Sequence, residues 1–174
     1  MNGDPLLVKA LLANWANPND RIFYQKPEAL LYAGTSVLAI CAAFGSNEAM
    51  QLLLSVKAKV NQRDSALTGG GTALHATVLC DNAEGARILL AARGDPNIQR
   101  VYPNDVLELA SAMGAIQVIH EILPCKTRSQ HLLHWALMMR GGSPEVISSL
   151  LQARMDVNEQ FLGTTENDDL FSHW

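Results

Sequence analysis

Apolar residues in this chain come in short clusters, and the clusters recur. Leu11-Leu12, Leu53-Leu54, Leu89-Leu90 and Leu150-Leu151 are each followed, eight residues after the first Leu, by an Asn: Asn19, Asn61, Asn97 and Asn158. The recurring wording is LLANWANPN, LLSVKAKVN, LLAARGDPN and LLQARMDVN. A second phrase lies upstream, as SVLAICAAFG from Ser36, TALHATVLCD from Thr72, DVLELASAMG from Asp105 and HLLHWALMMR from His131. Twenty-five residues separate Ser36 from Asn61 and, again, Thr72 from Asn97. An internal period of this kind outranks any element-by-element reading, because it defines the unit that folds.

Each unit reads as two short antiparallel helices and an extended excursion. Thr72 is placed to accept backbone N–H groups of the turn that follows, which starts a helix over 73–79. Asp81 and Glu84 have the spacing of a capping box and predict a second helix running through Leu90. In the last unit Ser143 stands as N-cap before Pro144, whose missing N–H costs nothing at the first helical position. Gly94-Asp95-Pro96-Asn97 then breaks the helix and turns the chain. Helices this short are marginal alone, so each pair must bury its apolar side on the next pair, which is the logic of a solenoid.

These residues resemble the ankyrin-repeat family. Gly71-Thr72-Ala73-Leu74-His75 is similar to the family's Gly-x-Thr-Pro-Leu-His, with Ala73 in place of Pro, and Leu89-Leu90 with Asp95-Pro96-Asn97 matches its double Leu and finger-base Asn, with Arg93 in place of Gly. Thr72 and Asp105 stand 33 residues apart, the family period. The resemblance implies one all-α domain over 1–174, an ankyrin-type solenoid of helix-turn-helix repeats with hairpin-like finger loops. Its divisions are a partial unit at 4–19, units at about 34–64, 70–100, 103–128 and 129–160, and a polar tail at 161–174.

Several departures are expected to shape it. Extra residues between Asn61 and Thr72, including Gly69-Gly70-Gly71, predict a long, mobile finger. In the third unit Pro124 directly follows Ile122-Leu123, so that finger is shortened or missing, and Gly141-Gly142 adds two residues between the helices of the fourth. Segment 23–33 reads as an insertion with helical character. The chain begins inside a repeat and breaks off at 164–174 where another would start, which suggests part of a longer array or larger protein, or an array with unusual caps.

Composition narrows the function. Apolar residues make up 48% of the chain, enough for a sizeable core. Thirteen Lys and Arg, scattered, against seventeen Asp and Glu argue against nucleic acid as a ligand, since phosphate backbones need clustered positive charge. The longest apolar run, 37–44, is too short to span a bilayer, and the N-terminus lacks a signal peptide, so no membrane insertion is expected. Three widely spaced cysteines, Cys41, Cys80 and Cys125, fit a reducing compartment, hence an intracellular, cytoplasmic location.

Candidate chemistry is sparse. His120, Cys125, His131 and His134 lie close in sequence and are of zinc-ligating types, but their spacing fits no zinc module, and the resemblance assigns His75 and His134 to the hydrogen-bond network between repeats. No phosphate loop or nucleophile elbow is present, and Asp168-Asp169 sits in the polar tail. Cys80 reads as a small apolar residue. No catalytic residue, cofactor or metal is therefore assigned. What stands out is a stripe: the residues that close each first helix are Ala43-Phe44, Leu79-Cys80, Ala112-Met113 and Met138-Met139, none charged. In ankyrin arrays these positions face the concave groove, so they form either a partner surface or packing between repeats. The function expected is a protein-protein interaction scaffold, with a protein partner contacting Phe44, Leu79, Met113, Met138 and Met139 in the groove and Arg63, Arg100 and Tyr102 on the fingers; the alternative is a regulatory segment of a larger enzyme or transporter, packing on a neighbouring domain. Gln62, Asp64 and Gln99 are further finger candidates.

Overall fold

The computed structural model describes residues 5–22, 34–65, 69–100, 105–125, 132–140 and 143–152. Within them the helices are α1 (Pro5–Ala13), α2 (Val37–Ala43), α3 (Asn47–Ser55), α4 (Ala73–Ala76), α5 (Ala83–Ala91), α6 (Val106–Met113), α7 (Ile116–Ile122), α8 (Leu132–Arg140) and α9 (Pro144–Gln152), with 3-10 turns at Thr77–Cys80 and Leu123–Cys125. They stack in two layers. The first helices of the units, α2, α4, α6 and α8, pack in sequence on one another, and α1, α3, α5, α7 and α9 form the second layer behind them. This is the helical solenoid that the repeat predicts. Segment 23–33 and the tail from 153 onward lie outside the described residues.

The core runs along the seam between the layers. Met50, Leu53, Leu74, Leu89, Leu107, Ile119, Ile122 and Leu150 are all at most 2% exposed, one or two from each of α3, α4, α5, α6, α7 and α9. Burying a side chain of this size contributes about 1.5–3 kcal/mol. Because a pair shares its core with its neighbours, that contribution exists only in the stack.

Three devices start the first helices. Ser36 Oγ accepts the Ala39 N–H at 3.3 Å, and the Asp105 carboxylate accepts those of Leu107 and Glu108 at 3.0 Å. At Thr72 the backbone N–H donates to His75 Nδ1 at 3.2 Å, so the imidazole closes the turn. The second unit then departs from the predicted helix over 73–79: α4 gives way to a 3-10 turn at Thr77. Thr77 donates its hydroxyl to the Leu74 carbonyl three residues back, at 2.7 Å, which draws the chain into the tighter helix.

Asp81 also departs from expectation. Asn82, not Asp81, caps α5, through Gly85 N–H at 2.9 Å. Asp81 is left-handed, at φ +50°, and its carboxylate accepts the N–H groups of Gln117 and Val118 at 3.2 and 2.9 Å, capping α7 of the next unit. Helix α9 begins at Pro144 as expected; the Ser143 carbonyl accepts the Ile147 N–H, while its hydroxyl donates to Glu145. The connection between units spans 56–72 after α3 and 92–105 after α5, but only 123–131 after α7. The third finger is therefore the short one.

Candidate functional site

The stripe and the fingers are built by different forces. Phe44 closes α2, its N–H bonded to the Ile40 carbonyl, and Gly45 follows at φ +68°, so the backbone turns away beneath an aromatic ring that stays 41% exposed. Leu79 lies in the 3-10 turn and is 48% exposed. Its counterpart 33 residues on, Ala112, sits in the unbroken α6 and is 3% exposed. The tighter helix thus swings Leu79 outward where a continued α-helix would have turned the position inward. Met113 is half-buried against the core, whereas Met138 is 67% exposed. The side chain of Met139 lies outside the described residues.

The first two units meet at this surface. Cys80 Sγ and Asn82 Nδ2 both donate to the Ala42 carbonyl, at 3.6 and 3.3 Å, and Asn82 Nδ2 also reaches Asn47 Oδ1 at 2.9 Å. Phe44 and Leu79 accordingly sit on neighbouring rungs of one layer. The stripe is not continuous: it is broad at Phe44 and Leu79, recessed at Ala112-Met113, and exposed again at Met138. Cys80 is exposed, yet partial burial, aided by the Asp81 carboxylate, raises its thiol above the usual range, which disfavours the thiolate. Burial pushes the Cys41 thiol up to about 11.

On the fingers, polar side chains tie one unit to the next. Asn61 Nδ2 donates to the Arg93 carbonyl at 3.1 Å while its Oδ1 accepts the Asp95 N–H at 2.8 Å. Asn19 Oδ1 accepts the Lys59 N–H at 2.7 Å in the same way. Arg21 donates to the Arg63 carbonyl at 2.8 Å, and Arg63 in turn donates to the Gln99 carbonyl. Gln62 donates to the Asn19 carbonyl, and Asp64 accepts the Ser36 N–H at 2.9 Å. Gln62 therefore braces its unit against the partial unit before it, and Asp64 ties the end of its own unit to its start. Asp64 N–H also donates to the Gly71 carbonyl at 2.8 Å, so the long finger has a closed base. Arg63 is exposed, Arg100 is half-buried, and Tyr102 lies outside the described residues.

His75 is 4% exposed. Since Nδ1 accepts the Thr72 N–H, the ring proton of the neutral form belongs on Nε2. Burial first, then the positive charges of Arg100 and Arg63, lower its pKa to about 4. His134 makes an edge contact with Trp135, His120 is exposed on α7, and His131 lies outside the described residues. Among the described residues no three His, Cys, Asp or Glu side chains come together as a metal site. No described helix is long and apolar enough to cross a membrane.

Two stacked layers of paired helices, joined at the first finger bases by Asn19 and Asn61, define a helical repeat protein. A family model described as Ankyrin repeats (3 copies) matches residues 1–100, and the chain belongs to that family. It is also similar to rat Transient receptor potential cation channel subfamily V member 6, with 30% identity over 131 residues. That match covers 67% of this chain and 17% of the channel protein, so the chain spans about a sixth of that relative's length. Ankyrin repeats are in general protein-interaction modules without chemistry of their own.

Proposed function

We propose that this chain is a protein-interaction module that takes an apolar segment of a partner protein across its first-helix layer. The observation that carries the reading is the exposure of Phe44, Leu79 and Met138, uncharged side chains that each belong to the residue pair of the stripe in three of the units. The reading also assigns Met113, Met139, Arg63, Arg100 and Tyr102 to contact with the partner. Binding there is driven by burial and only weakly reduced by salt. The reading assigns no catalytic residue, cofactor or metal, and places the module in the cytoplasm.

The test is capture of a cross-linked partner by the wild-type chain and by Phe44→Ser/Leu79→Ser. Loss of capture with helical circular dichroism and melting temperature unchanged supports the groove. Undiminished capture refutes it, and a large fall in melting temperature shows that these side chains hold the fold instead. The similarity to part of a cation channel favours a second reading, a regulatory ankyrin segment that packs on a neighbouring domain of its own polypeptide. Cross-links from position 44 to another domain of the same chain would select it.

A further inference from the structure

The glycine run of the long finger gathers positive groups without a negative one. A Cβ on Gly69 would lie 2.6 Å from Arg100 Nη2, a Cβ on Gly70 would lie 3.6 Å from Arg63 Nη2, and a Cβ on Gly71 would lie 3.2 Å from His75 Cβ. Only glycine lets the guanidinium of Arg100 lie so close to the backbone, and Gly69 and Gly70, at φ +78° and +67°, hold a conformation that suits glycine. Two guanidinium groups thus bracket one dipeptide, whose Cα atoms are about 3.8 Å apart, with His75 beside it.

Arg100 is drawn partly out of water, which lowers its pKa, and its Nε is buried with no hydrogen-bond partner among the described residues. His75 Nε2 is in the same condition. The neighbouring carboxylate, Asp64, accepts the Ser36 N–H and feels Arg21, and segments 66–68 and 101–104 contain no acidic residue. Arg63 is held in place by its bond to the Gln99 carbonyl. A half-desolvated cation beside a second cation is unfavourable until an anion joins them.

We propose that Arg63 and Arg100, at the Gly69-Gly70-Gly71 finger, form a binding site for a phosphate monoester. Two guanidinium groups match a group carrying close to two negative charges and three acceptor oxygens, whereas one carboxylate would use a single guanidinium fork. The site lies on the fingers and does not depend on a partner covering the apolar stripe. The phosphate comes either from a phosphorylated side chain of a polypeptide or from a small phosphorylated molecule.

The test is NMR of the full chain at pH 7, following the Arg63 and Arg100 Nε–H and His75 ring signals during titration with inorganic phosphate, against sodium chloride at equal ionic strength. Expected are saturable shifts at these three residues with a Kd of about 5 mM or less, weakened at least tenfold in Arg100→Gln and unchanged in Arg87→Gln, whose guanidinium is already paired with Glu84 and Glu121. No saturable shift, an equal response to chloride, or an unaltered Kd in Arg100→Gln overturns the proposal. Should Arg100→Gln melt early, Arg100→Lys keeps the charge but not the fork, and it too must bind more weakly. A phosphoserine peptide binding more than tenfold tighter than inorganic phosphate assigns the ligand to a polypeptide; equal affinities assign it to a small molecule.

Discussion

The second and third units occupy equivalent places in the stack and solve the same local problem with opposite chemistry. In the second, Thr72 and a buried, neutral His75 close the first turn, and Thr77 tightens the helix by bonding three residues back. In the third, an Asp105 carboxylate closes the turn, and Ser111, one position beyond the counterpart of Thr77, bonds four residues back to Leu107 at 2.8 Å, leaving α6 unbroken to Gly114. One helix presents Leu79 outward; the other buries Ala112. A methyl-bearing hydroxyl and a change of hydrogen-bond register thus separate a surface rung from a core rung, on the same fold and at the same point of the repeat.

The largest test of that equivalence is in the core. Leu89 on α5 and Ile122 on α7 are both fully buried, so Leu89→Ala and Ile122→Ala should each cost about 2–5 kcal/mol in denaturant melts, with Gln99→Ala nearly silent. A large cost at Leu89 alone would mean that the third unit does not share the cooperative stack.

The next effect separates the units by pH. With a native pKa of about 4 against 6.5 when unfolded, His75 stays neutral in the fold while the unfolded chain takes up a proton. Its contribution is complete above about pH 6.5 and falls as pH drops toward 4, by about 3 kcal/mol in all. Asp64, whose carboxyl is raised by burial, acts in the other sense, its contribution being present at low pH and lost as pH rises. The difference between the wild-type and His75→Gln stability curves isolates the histidine. A flat difference between pH 7 and 4 would show that this ring is solvated in the fold.

The smallest effect lies where units one and two agree. Lys57 and Arg93 end α3 and α5 at φ +64° and +66°, as Trp15 does after α1 at +68°, and a side chain there costs about 1 kcal/mol that glycine avoids. Lys57→Gly and Arg93→Gly should each raise the melting temperature slightly, by about 0.5–1 kcal/mol of stability. A loss instead would mean that the long side chains contribute packing that outweighs the strain.

The helix pairs, the double leucines and the short third finger were legible because each rests on local periodicity and turn chemistry. Leu74 and Leu89 fall in the core as the register requires. Asp81 misleads because it carries the right residue type for a cap but spends its carboxylate on a helix 36 and 37 residues away, a contact that exists only once units stack. The role of Asn61 escaped for the same reason: its offset was visible, but its partners, Arg93 and Asp95, belong to the next unit. For the apolar stripe, sequence gave uncharged residues and could not rank them. The 3-10 turn, set by one hydroxyl, decides that Leu79 is outside and Ala112 inside.

The asparagine struts have a direction. Asn19 serves the backbone at Lys59, and Asn61 serves that at Arg93 and Asp95; in each case the earlier residue completes the later turn. Asp81 acts likewise on α7, and Arg21 and Arg63 on the fingers that follow them. Every turn so completed has its template upstream. Gln62, Asp64 and Asn82 reach back the other way, to Asn19, Ser36 and Ala42, but these forward struts follow the order in which a ribosome delivers the chain, so each of their moulds is present before the segment cast against it emerges.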